Sequence, residues 1–561
     1  MSVAESAAPT AELDSEARQS KAVASSSLVR NSLVGSVWTL ISRITGLVRV
    51  VVIGAVLGAT YLGNTYQAIN ALPNLVYYQL LAGSLFVSLV VPPLVSHIRE
   101  DDPRRADRFV SGFLGSIGTL ALAAVVLLIV IGPLILHVLS FGVADGDTAA
   151  AQRRVGFLFL VFFAPQILLY VVAGTGAAVM NAYDRYALAA GAPTVENIGI
   201  ILTLVLAALL FQSGVGISHI STGEVLLLGL GTTAAVGAHA GLQWFGARRH
   251  QIRMYPSVGW HDPEIRMLLQ RMRSVLAFSG LAALQLFVTI VVANRVAGGL
   301  VAFQLALNFF YLPIAIVTWP IVRALVPRLS HFHQAGEVRA FRNEFVHALA
   351  LASFVCIPIA VVYAVGASAI AHLVAVGRLD TPTGVSYVTV SLLALSAAVI
   401  GETWFTLGSY AFYSQENVAV PLRAQLIRVG TTMVLMTSAF TARGERSLMF
   451  IGLAIAGGTF AGAAYACRRV FSSLPRGGYS LGRSLGRTAI GSAIMLVPAA
   501  LTWIALGGLP ESKLSDVLRF GLAAIVGGAT FLAVQVRLKA SEVGLLHAGF
   551  ARIARPTRGG P

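Results

Sequence analysis

The chain has 561 residues, of which 56% are hydrophobic and only 11% are charged, and its mean hydropathy is +0.78. A soluble domain carries about 25% charged residues, so this composition excludes a soluble multidomain enzyme and a disordered protein. It indicates a polytopic membrane protein, most of whose surface faces lipid. The charges are unbalanced, with 40 Lys and Arg against 24 Asp and Glu.

The chain divides into a polar start and a long series of apolar runs. Residues 1–31 are rich in Ser and Ala, and we expect a disordered cytoplasmic tail with no cleaved signal peptide. Since about 20 apolar residues cross a bilayer as a helix, the rest predicts an all-α protein. We expect about fourteen transmembrane helices, at 33–57, 63–96, 109–137, 155–180, 187–211, 223–245, 274–296, 299–327, 344–372, 386–413, 419–440, 447–467, 487–507 and 515–536.

The arginines predict the orientation of these helices. Most lie in the links between spans two and three, six and seven, eight and nine, and twelve and thirteen. Positive links face the cytoplasm, so we expect even-numbered links and both termini inside, in a bacterial inner membrane. The arginines of these links are Arg99, Arg104, Arg105, Arg108, Arg248, Arg249, Arg253, Arg266, Arg271, Arg273, Arg328, Arg339, Arg342, Arg468, Arg469, Arg476, Arg483 and Arg487.

A weak internal repeat predicts two lobes. Ser96-His97 recurs as Ser330-His331, 234 positions later, and Pro193 corresponds to Pro421, 228 positions later. A six-span unit used twice gives parallel lobes around a central cavity; chance matching in a sequence rich in Ala, Leu and Val is the alternative. The predicted parts are the N-lobe 32–245, a cytoplasmic amphipathic linker 246–273, the C-lobe 274–470, two extra helices in 471–540 and a cytoplasmic tail 541–561.

The first span contains the clearest candidate site, Ser42-Arg43-Ile-Thr-Gly46-Leu-Val-Arg49. Charged residues inside a span are costly and mark function, and Arg43 and Arg49 share a broad face of a helix. Two guanidiniums at an internal cavity suit a pyrophosphate, which arginine holds with paired donors. We predict Ser42, Arg43 and Arg49 as substrate-binding residues; the alternative for Arg43 is that it only reaches the inner surface.

Other polar residues inside the spans extend this candidate site. Asn64 and Asn74 lie in the second span, Arg295 ends the seventh, and Asn308 lies in the eighth. We predict that all four contact substrate, although asparagines inside spans also serve as hydrogen-bonding links between helices.

Two acids inside the spans are candidates for ion coupling, Glu196 in the fifth and Glu402 in the tenth. Each could instead pair with an arginine, and Glu196 could be an ordinary acid near a helix end. Arg423 and Arg428 in the eleventh span are second-half candidates, with helix-end cations as the alternative.

No pattern in the sequence indicates catalysis or a metal. The nucleophile, phosphate-loop and metal-ligand motifs of enzymes are absent from the sequence, so we expect a transporter that uses no cofactor. Cys356 and Cys467 lie in separate apolar runs, and His137, His239 and His372 are isolated. We interpret these histidines as packing or interfacial residues.

The motif Ser42-Arg43-x-x-Gly46-x-x-Arg49 followed by Leu72-Pro73-Asn74 resembles the start of the MurJ/MviN family. This resemblance covers roughly residues 33–470. It implies a fourteen-helix flippase for lipid II, the lipid-linked peptidoglycan precursor, within the multidrug/oligosaccharidyl-lipid/polysaccharide exporter superfamily. It also implies a cationic cavity between two lobes and a hydrophobic groove formed with the last two helices. Weaker matches are Gly58-Ala59, Val91-Pro92, Pro193-x-x-x-Asn197, Leu312-Pro313 and the run from Leu325 to Ser330.

The chain departs from the family pattern at several charged positions. The acid that is common at the start of the second span is Asn64 here, and basic residues after Leu-Pro-Asn are replaced by Tyr77 and Tyr78. The eighth-span Arg and Glu fall on Asn308 and Tyr311. The resemblance therefore implies a cavity that is less charged than in the best-known branch of the family.

These features together predict a flippase that moves an undecaprenyl-pyrophosphate-linked saccharide, lipid II above all, from the inner to the outer leaflet by alternating access. The expected partners are this lipid-linked glycan, membrane lipids and proteins of cell-wall synthesis and division; nucleic acid is not expected. The alternatives are an exporter of another polyprenyl-linked glycan, a cation-coupled multidrug exporter and a non-transporting scaffold for envelope synthesis.

Overall fold

The computed structural model describes residues 34–76, 90–100, 102–211, 216–249, 252, 254–475, 479–510 and 512–544, with only the backbone for 271–275. Within these residues the regular structure is helical, without a strand. The helices are α1 Val34–Leu57, α2 Tyr61–Leu75, α3 Val91–Arg99, α4 Pro103–Val130, α5 Gly132–Leu139, α6 Gly146–Phe163, α7 Gln166–Ala182, α8 Tyr186–Leu210, α9 Thr222–Arg248, α10 Pro263–Asn294, α11 Gly299–Pro313, α12 Trp319–Gln334, α13 Val338–Val365, α14 Ala367–Val374, α15 Pro382–Tyr413, α16 Ala419–Thr441, α17 Glu445–Ser472, α18 Leu481–Ala505 and α19 Lys513–Arg537.

The all-helical membrane class predicted from the sequence is confirmed. Among the described residues, twelve helical segments are long and apolar enough to cross a membrane. Two of the fourteen predicted spans are not among them: the second is described as α2 and α3 on either side of residues 77–89, and the eleventh is α16. Fourteen spans therefore stay a prediction, as does the disordered tail over 1–31, which lies outside the described residues.

Proline and glycine divide several of the long apolar runs. Gly132 and Pro133 are the first two residues of α5 after the break at Ile131, and Pro165 separates α6 from α7. The predicted eighth span has a π-helical turn, Ile314–Thr318, between Pro313 and Pro320. A proline lacks a backbone donor and crowds the preceding turn, so each of these sites interrupts regular α-helix.

The helices of each sequence half pack mainly on one another. In the first half, α9 packs on α7 and α8, and α2 packs on α6; in the second, α17 packs on α15 and α16. Helices α18 and α19 pack together and reach the rest through α13 and α14, and only 17% of their apolar segments is buried against 61% for α15 and α17. This packing is compatible with the two predicted lobes and the two extra helices at the end of the chain. The boundaries of these parts stay a prediction.

The two halves meet closely at one side of the molecule, which we call the closed side. It carries the links after α1, α5, α10 and α14. A Cβ at Gly298 would overlap the backbone of Ala59, and the Arg378 Nη1 donates to the Val56 carbonyl at 3.1 Å. Leu379 packs against Gly54 of α1. The first half and the second half are therefore in backbone contact on the closed side.

The other side, which we call the arginine-rich side, carries the linker before α10. Ser257 donates its backbone N–H to the Ser111 carbonyl, and Gly259 donates to Ser116 Oγ, so the linker lies against α4. Glu264 accepts from Arg105 Nη2 at 2.6 Å and is 2.9 Å from His97 Nε2. Burial raises the pKa of Glu264, but the hydrogen bonds from Arg105 and His97 outweigh it and hold the pKa below its ordinary value.

The start of the predicted C-terminal tail is attached to the helical body. Residues 541–544 are helical, and the Glu542 side chain is only 2% exposed. Its carboxylate accepts from Tyr479 and Ser484 and lies 3.8 Å from Arg487 Nη2. Residues 545–561 lie outside the described residues.

We predict that Gly298→Ala destabilises the protein much more than Gly336→Ala. Both glycines have positive φ, +71° and +70°, so both substitutions pay the left-handed strain of about 1–2 kcal/mol. Only Gly298 has the Ala59 backbone where the new methyl would lie, whereas a Cβ at Gly336 meets nothing within 4 Å. The check is the thermal unfolding midpoint of each purified variant; equal shifts would contradict the close contact between the halves.

Candidate functional site

Arg49 of α1 lies at the centre of a polar cluster that joins four helices. Its Nη1 is 3.6 Å from Glu196 Oε1 of α8, and the two side chains are 24% and 9% exposed. Tyr170 of α7 donates its hydroxyl to the same oxygen at 3.0 Å, and His239 Nδ1 of α9 lies 2.7 Å from Oε2. A carboxylate paired with arginine only accepts hydrogen bonds, so Nδ1 of His239 carries the hydrogen.

The local sequence of α1 and α8 explains why these groups meet. Asn197, next to Glu196, donates Nδ2 to the Ser42 carbonyl and to Thr45 Oγ1, both at 3.2 Å. A Cβ at Gly46 would lie 3.6 Å from Asn197 Nδ2, an ordinary van der Waals contact, so the crossing of the two helices does not depend on this glycine. Arg49 lies one further helical turn along α1 from Thr45, which brings it level with the Glu196 carboxylate.

Aromatic side chains close the cluster on the side of α2. Tyr66 is completely buried, and its hydroxyl lies 2.6 Å from Thr232 Oγ1 of α9. The ring makes edge contacts with Phe159 and Phe163 at centroid distances of 5.8 and 5.7 Å. Tyr66 interacts electrostatically with Arg49 and Glu196, so this aromatic group lies beside the cluster.

The structure separates the three predicted first-span residues. Ser42 uses its carbonyl to bind Asn197, while Arg43 is exposed on α1. Arg49 is partly buried, and its Nε has no hydrogen-bond partner among the described residues. Arg43 and Arg49 therefore share no protein partner in the described part of the chain.

Asn64 is occupied by the backbone of the second half. Its Nδ2 lies 2.7 Å from the Val296 carbonyl and 3.4 Å from that of Asn294, and its Oδ1 accepts from the N–H groups of Leu300 and Val301 at 3.1 and 3.4 Å. Both ends of the amide are thus used to hold the corner between α10 and α11, on the closed side. The side chain is fully buried.

The other two predicted asparagines are less constrained. Asn74 donates to the Asn70 carbonyl at 3.1 Å, and Asn308 donates to the Gln304 carbonyl at 2.8 Å, each within its own helix. Both are partly exposed and keep an amide oxygen that the described residues do not use. The side-chain oxygens of Asn74 and Asn308 are therefore free to accept a hydrogen bond from a ligand, whereas the Asn64 amide is already fully used.

Arg295 lies at the closed side, away from the Arg49 cluster. Its Nη1 donates to the Phe440 carbonyl at 2.8 Å, and the guanidinium lies 5.0 Å from the centre of the Phe440 ring. The Tyr61 hydroxyl donates to its backbone carbonyl at 3.3 Å. These contacts join the link after α10 to the end of α16 and the start of α2.

Glu402 pairs with an arginine in the second half. Arg428 Nη1 donates to Glu402 Oε1 at 3.1 Å, and Nη2 is 2.9 Å from Oε2. The Arg428 guanidinium lies 4.9 Å from the centre of the Phe405 ring. Of the two alternatives for Glu402, ion coupling or pairing with an arginine, this structure contains the pair.

Sequence reasoning missed the role of His239 and Tyr170. We expected His239 to be an isolated packing residue, and this was wrong, because its Nδ1 contacts Glu196. The position of His239 inside a predicted span could have indicated this contact, because a polar side chain inside the membrane needs a polar partner. Among the described residues, no group of three or more His, Cys, Asp and Glu side chains is placed to hold a metal ion.

The fold is shared with solved membrane transporters. A multidrug resistance MATE family transporter of the MOP superfamily, solved in an inward-facing conformation, superimposes with a TM-score of 0.58 and 14% identity, over 78% of this chain and 98% of that one. A lipid II flippase MurJ in an inward closed conformation gives a TM-score of 0.70 and 16% identity, over 90% of this chain and 99% of that one. These likenesses show that the helical body shares its fold with these membrane transporters.

Sequence comparison identifies the family. The model of the family described as "Lipid II flippase MurJ" matches residues 53–513, so the chain belongs to this family of transporters, as its motifs predicted. A probable lipid II flippase MurJ of Vibrio cholerae is 23% identical over 91% of this chain and 97% of its own length. One of Rhizobium tropici is also 23% identical, over 94% of this chain and 97% of its own length.

We predict that substitutions of two asparagines on the same helix affect stability to very different extents. Asn64→Leu leaves four backbone groups of the α10–α11 corner without their partner, and each unsatisfied buried group costs about 1–3 kcal/mol. It should greatly reduce the yield and thermal stability of the folded protein. Asn74→Leu should leave the unfolding midpoint nearly unchanged, because it removes only a bond within α2.

The measurement is fluorescence-detected size exclusion combined with a thermal unfolding scan of both variants in detergent. If Asn64→Leu is as stable as Asn74→Leu, Asn64 does not support the closed side.

Proposed function

We propose that this protein translocates lipid II, an undecaprenyl-pyrophosphate-linked saccharide, from the inner to the outer leaflet of the bacterial inner membrane by alternating access. The observation that carries this proposal is the family match over residues 53–513. The similarity to the curated relatives over nearly their whole length supports it.

Arg49 is the residue that we propose to hold the pyrophosphate. Its guanidinium is already oriented by Glu196, which His239 and Tyr170 fix in turn. The 3.6 Å separation from Glu196 is longer than a direct hydrogen bond, and the Arg49 side chain is 24% exposed. Arginine binds phosphate with two parallel donors, so a phosphate can add to Arg49 while Glu196 keeps the other edge in place.

The contacts between the halves support an alternating-access cycle. On the closed side, Ala59 meets Gly298 and Val56 meets Arg378. We propose that this side faces outward, with both termini and the arginine-rich side in the cytoplasm, in agreement with the distribution of arginine. Substrate then enters between the halves from the inner leaflet and leaves when the closed side separates.

The hydrophobic tail needs a path that stays in contact with lipid. Helices α18 and α19 are the most lipid-exposed pair of the described structure and pack on α13. We propose that the polyprenyl chain lies along these helices while the head group crosses through the interior. Proteins of cell-wall synthesis and division are the proposed partners.

The candidate substrate residues take different parts in this proposal. Ser42, Asn64 and Arg295 support the helices that line the path, while Arg43, Asn74 and Asn308 have exposed groups that substrate can reach. Ion coupling by Glu196 or Glu402 stays a prediction. In this structure each of these acids is paired with an arginine.

We expect Arg49→Gln to slow flipping strongly and Arg49→Lys to slow it less. Glutamine loses the charge, and lysine keeps the charge but lacks the planar pair of donors. The measurement is the outer-leaflet accessibility of lipid II in cells depleted of their own flippase, and in vesicles that contain the purified protein. Loss of a charge-assisted contact corresponds to roughly a 10- to 100-fold lower rate.

The matched control is Arg537→Gln, at an exposed position in the last turn of α19. It should flip lipid II like the unchanged protein. Full activity of Arg49→Gln would contradict the pyrophosphate role, and absence of flipping by the unchanged protein would contradict the proposed function itself. Loss of activity only in Glu196→Gln or Glu402→Gln would favour a cation-coupled exporter.

A further inference from the structure

The end of α17 brings two arginines to one tyrosine. Tyr465 lies one helical turn before Arg469, whose Cζ is 5.8 Å from the centre of the tyrosine ring. The Tyr465 hydroxyl interacts with the side chains of both Arg469 and Arg423, and Arg423 belongs to the neighbouring helix α16. A guanidinium only donates hydrogen bonds, so the hydroxyl oxygen is the acceptor for both arginines. Two positive charges from different helices therefore meet at a neutral group on the arginine-rich side.

The protein supplies no acid to balance these two charges. Arg423 and Arg469 are both exposed, and neither forms an ion pair within the part of the chain that the structure describes. Arg428, deeper on α16, is by contrast paired with Glu402. Like charges held close together repel each other, so the arrangement at Tyr465 favours an anion that comes from outside the chain.

The first half has a related arrangement that lacks the second arginine. Phe245 and Arg249 at the end of α9 precede Tyr465 and Arg469 by 220 positions, and Arg249 Cζ lies 4.6 Å from the centre of the Phe245 ring. Phenylalanine has no hydroxyl to hold a guanidinium, and Arg249 lines a cavity that the acid Asp184 also lines. The convergence of two arginines on one hydroxyl is therefore specific to the second half and does not follow from the repeat.

The surface next to Arg423 indicates the kind of anion. Leu426 and Ile427 follow Arg423 by three and four positions, so they lie one turn deeper on the same face of α16. They are 50% and 36% exposed, and Val434, two turns deeper again, is 70% exposed. Apolar side chains exposed along a helix of a membrane protein face acyl chains. A lipid phosphate at the arginines would thus have its acyl chains on this apolar face, whereas a free phosphate would use the arginines alone.

We propose that Arg423, Arg469 and Tyr465 form a binding site for the phosphate of an anionic phospholipid, at the level of the head groups on the arginine-rich side. The two guanidiniums donate to the phosphate oxygens, a geometry that arginine favours. Tyr465 holds the guanidiniums close together when no lipid is bound. In the orientation proposed above this leaflet is the inner one, whose surface is negatively charged. The site is built from the second half alone and does not include the Arg49 cluster.

The test measures binding of phosphatidylglycerol to the purified full chain in detergent by native mass spectrometry, as the apparent affinity for the first bound lipid. Arg423→Gln and Arg469→Gln should each weaken this affinity roughly 5-fold, since an arginine at a lipid surface contributes a factor of this size, and the double variant should weaken it roughly 25-fold. Tyr465→Phe should cause a smaller loss. Diacylglycerol with the same acyl chains should not bind at this site, because it has no phosphate.

The matched control is Arg468→Gln. Arg468 is exposed beside Arg469 but is not among the groups that interact with Tyr465, so this variant removes the same charge from the same surface. It should bind phosphatidylglycerol like the unchanged protein. Equal losses in Arg423→Gln and Arg468→Gln would show that only net charge matters, and would overturn the proposed site.

Thermal unfolding separates a lipid site from a structural contact. Without lipid, Arg423→Gln should unfold no earlier than the unchanged protein, because it removes a repulsion. Added phosphatidylglycerol should raise the unfolding midpoint of the unchanged protein and of Arg468→Gln more than that of Arg423→Gln. If Arg423→Gln is less stable without lipid and gains as much from lipid as the unchanged protein, the cluster is structural and the proposal is wrong.

Inorganic phosphate distinguishes the two sources of the same chemical group. It should neither raise the unfolding midpoint as phosphatidylglycerol does nor displace the bound lipid at a similar concentration. If it does either, the ligand is free phosphate and the assignment to a phospholipid is wrong. None of these measurements uses lipid II, so their outcome is independent of the proposed function.

Discussion

An arginine in the middle of a membrane-spanning helix needs a partner, and much of the first half is arranged to give one to Arg49. A lone guanidinium there would be expensive in free energy. Glu196 supplies the opposite charge, and its own carboxylate is satisfied by His239 and Tyr170. One charge pair therefore requires that α1, α7, α8 and α9 keep a fixed register, and Asn197 holds the same register one turn away.

Close backbone contact sets the second constraint. At the closed side, Gly298 and Gly377 accept positions that a side chain would block, with the backbone of α1 and the link after it directly opposite. Glycine is needed at these points because its missing Cβ allows both the left-handed backbone and the approach. Separation of the halves here would break the hydrogen bonds of Asn64 to the α10–α11 corner, the bond from Arg378 to the Val56 carbonyl and the packing of Leu379 on α1.

The sequence predicted the membrane class, the helical runs and the family, because apolar length and the motif around Arg43 and Arg49 are local signals. It also named Glu196, Glu402 and Arg428 as candidates, since each is an ionisable residue inside a span. It did not predict which acid meets which arginine, because that depends on the rotation of packed helices. Asn64 illustrates the limit, since its chemistry suits a ligand equally well, and only the fold shows that two carbonyls and two N–H groups already occupy it.

The pairing of both arginines changes how a membrane potential would act on transport. A cavity lined by unpaired arginines is cationic when empty, and an inside-negative potential then drives the empty protein back inward, by about 2.3 kcal/mol per charge per 100 mV. Here Glu196 and Glu402 neutralise Arg49 and Arg428, so that force on the empty state is small. If the protein carries a diphosphate, as we propose, the same potential pushes the negative charge of the loaded state outward. The potential would then assist the loaded step, in the direction that a flippase moves its substrate.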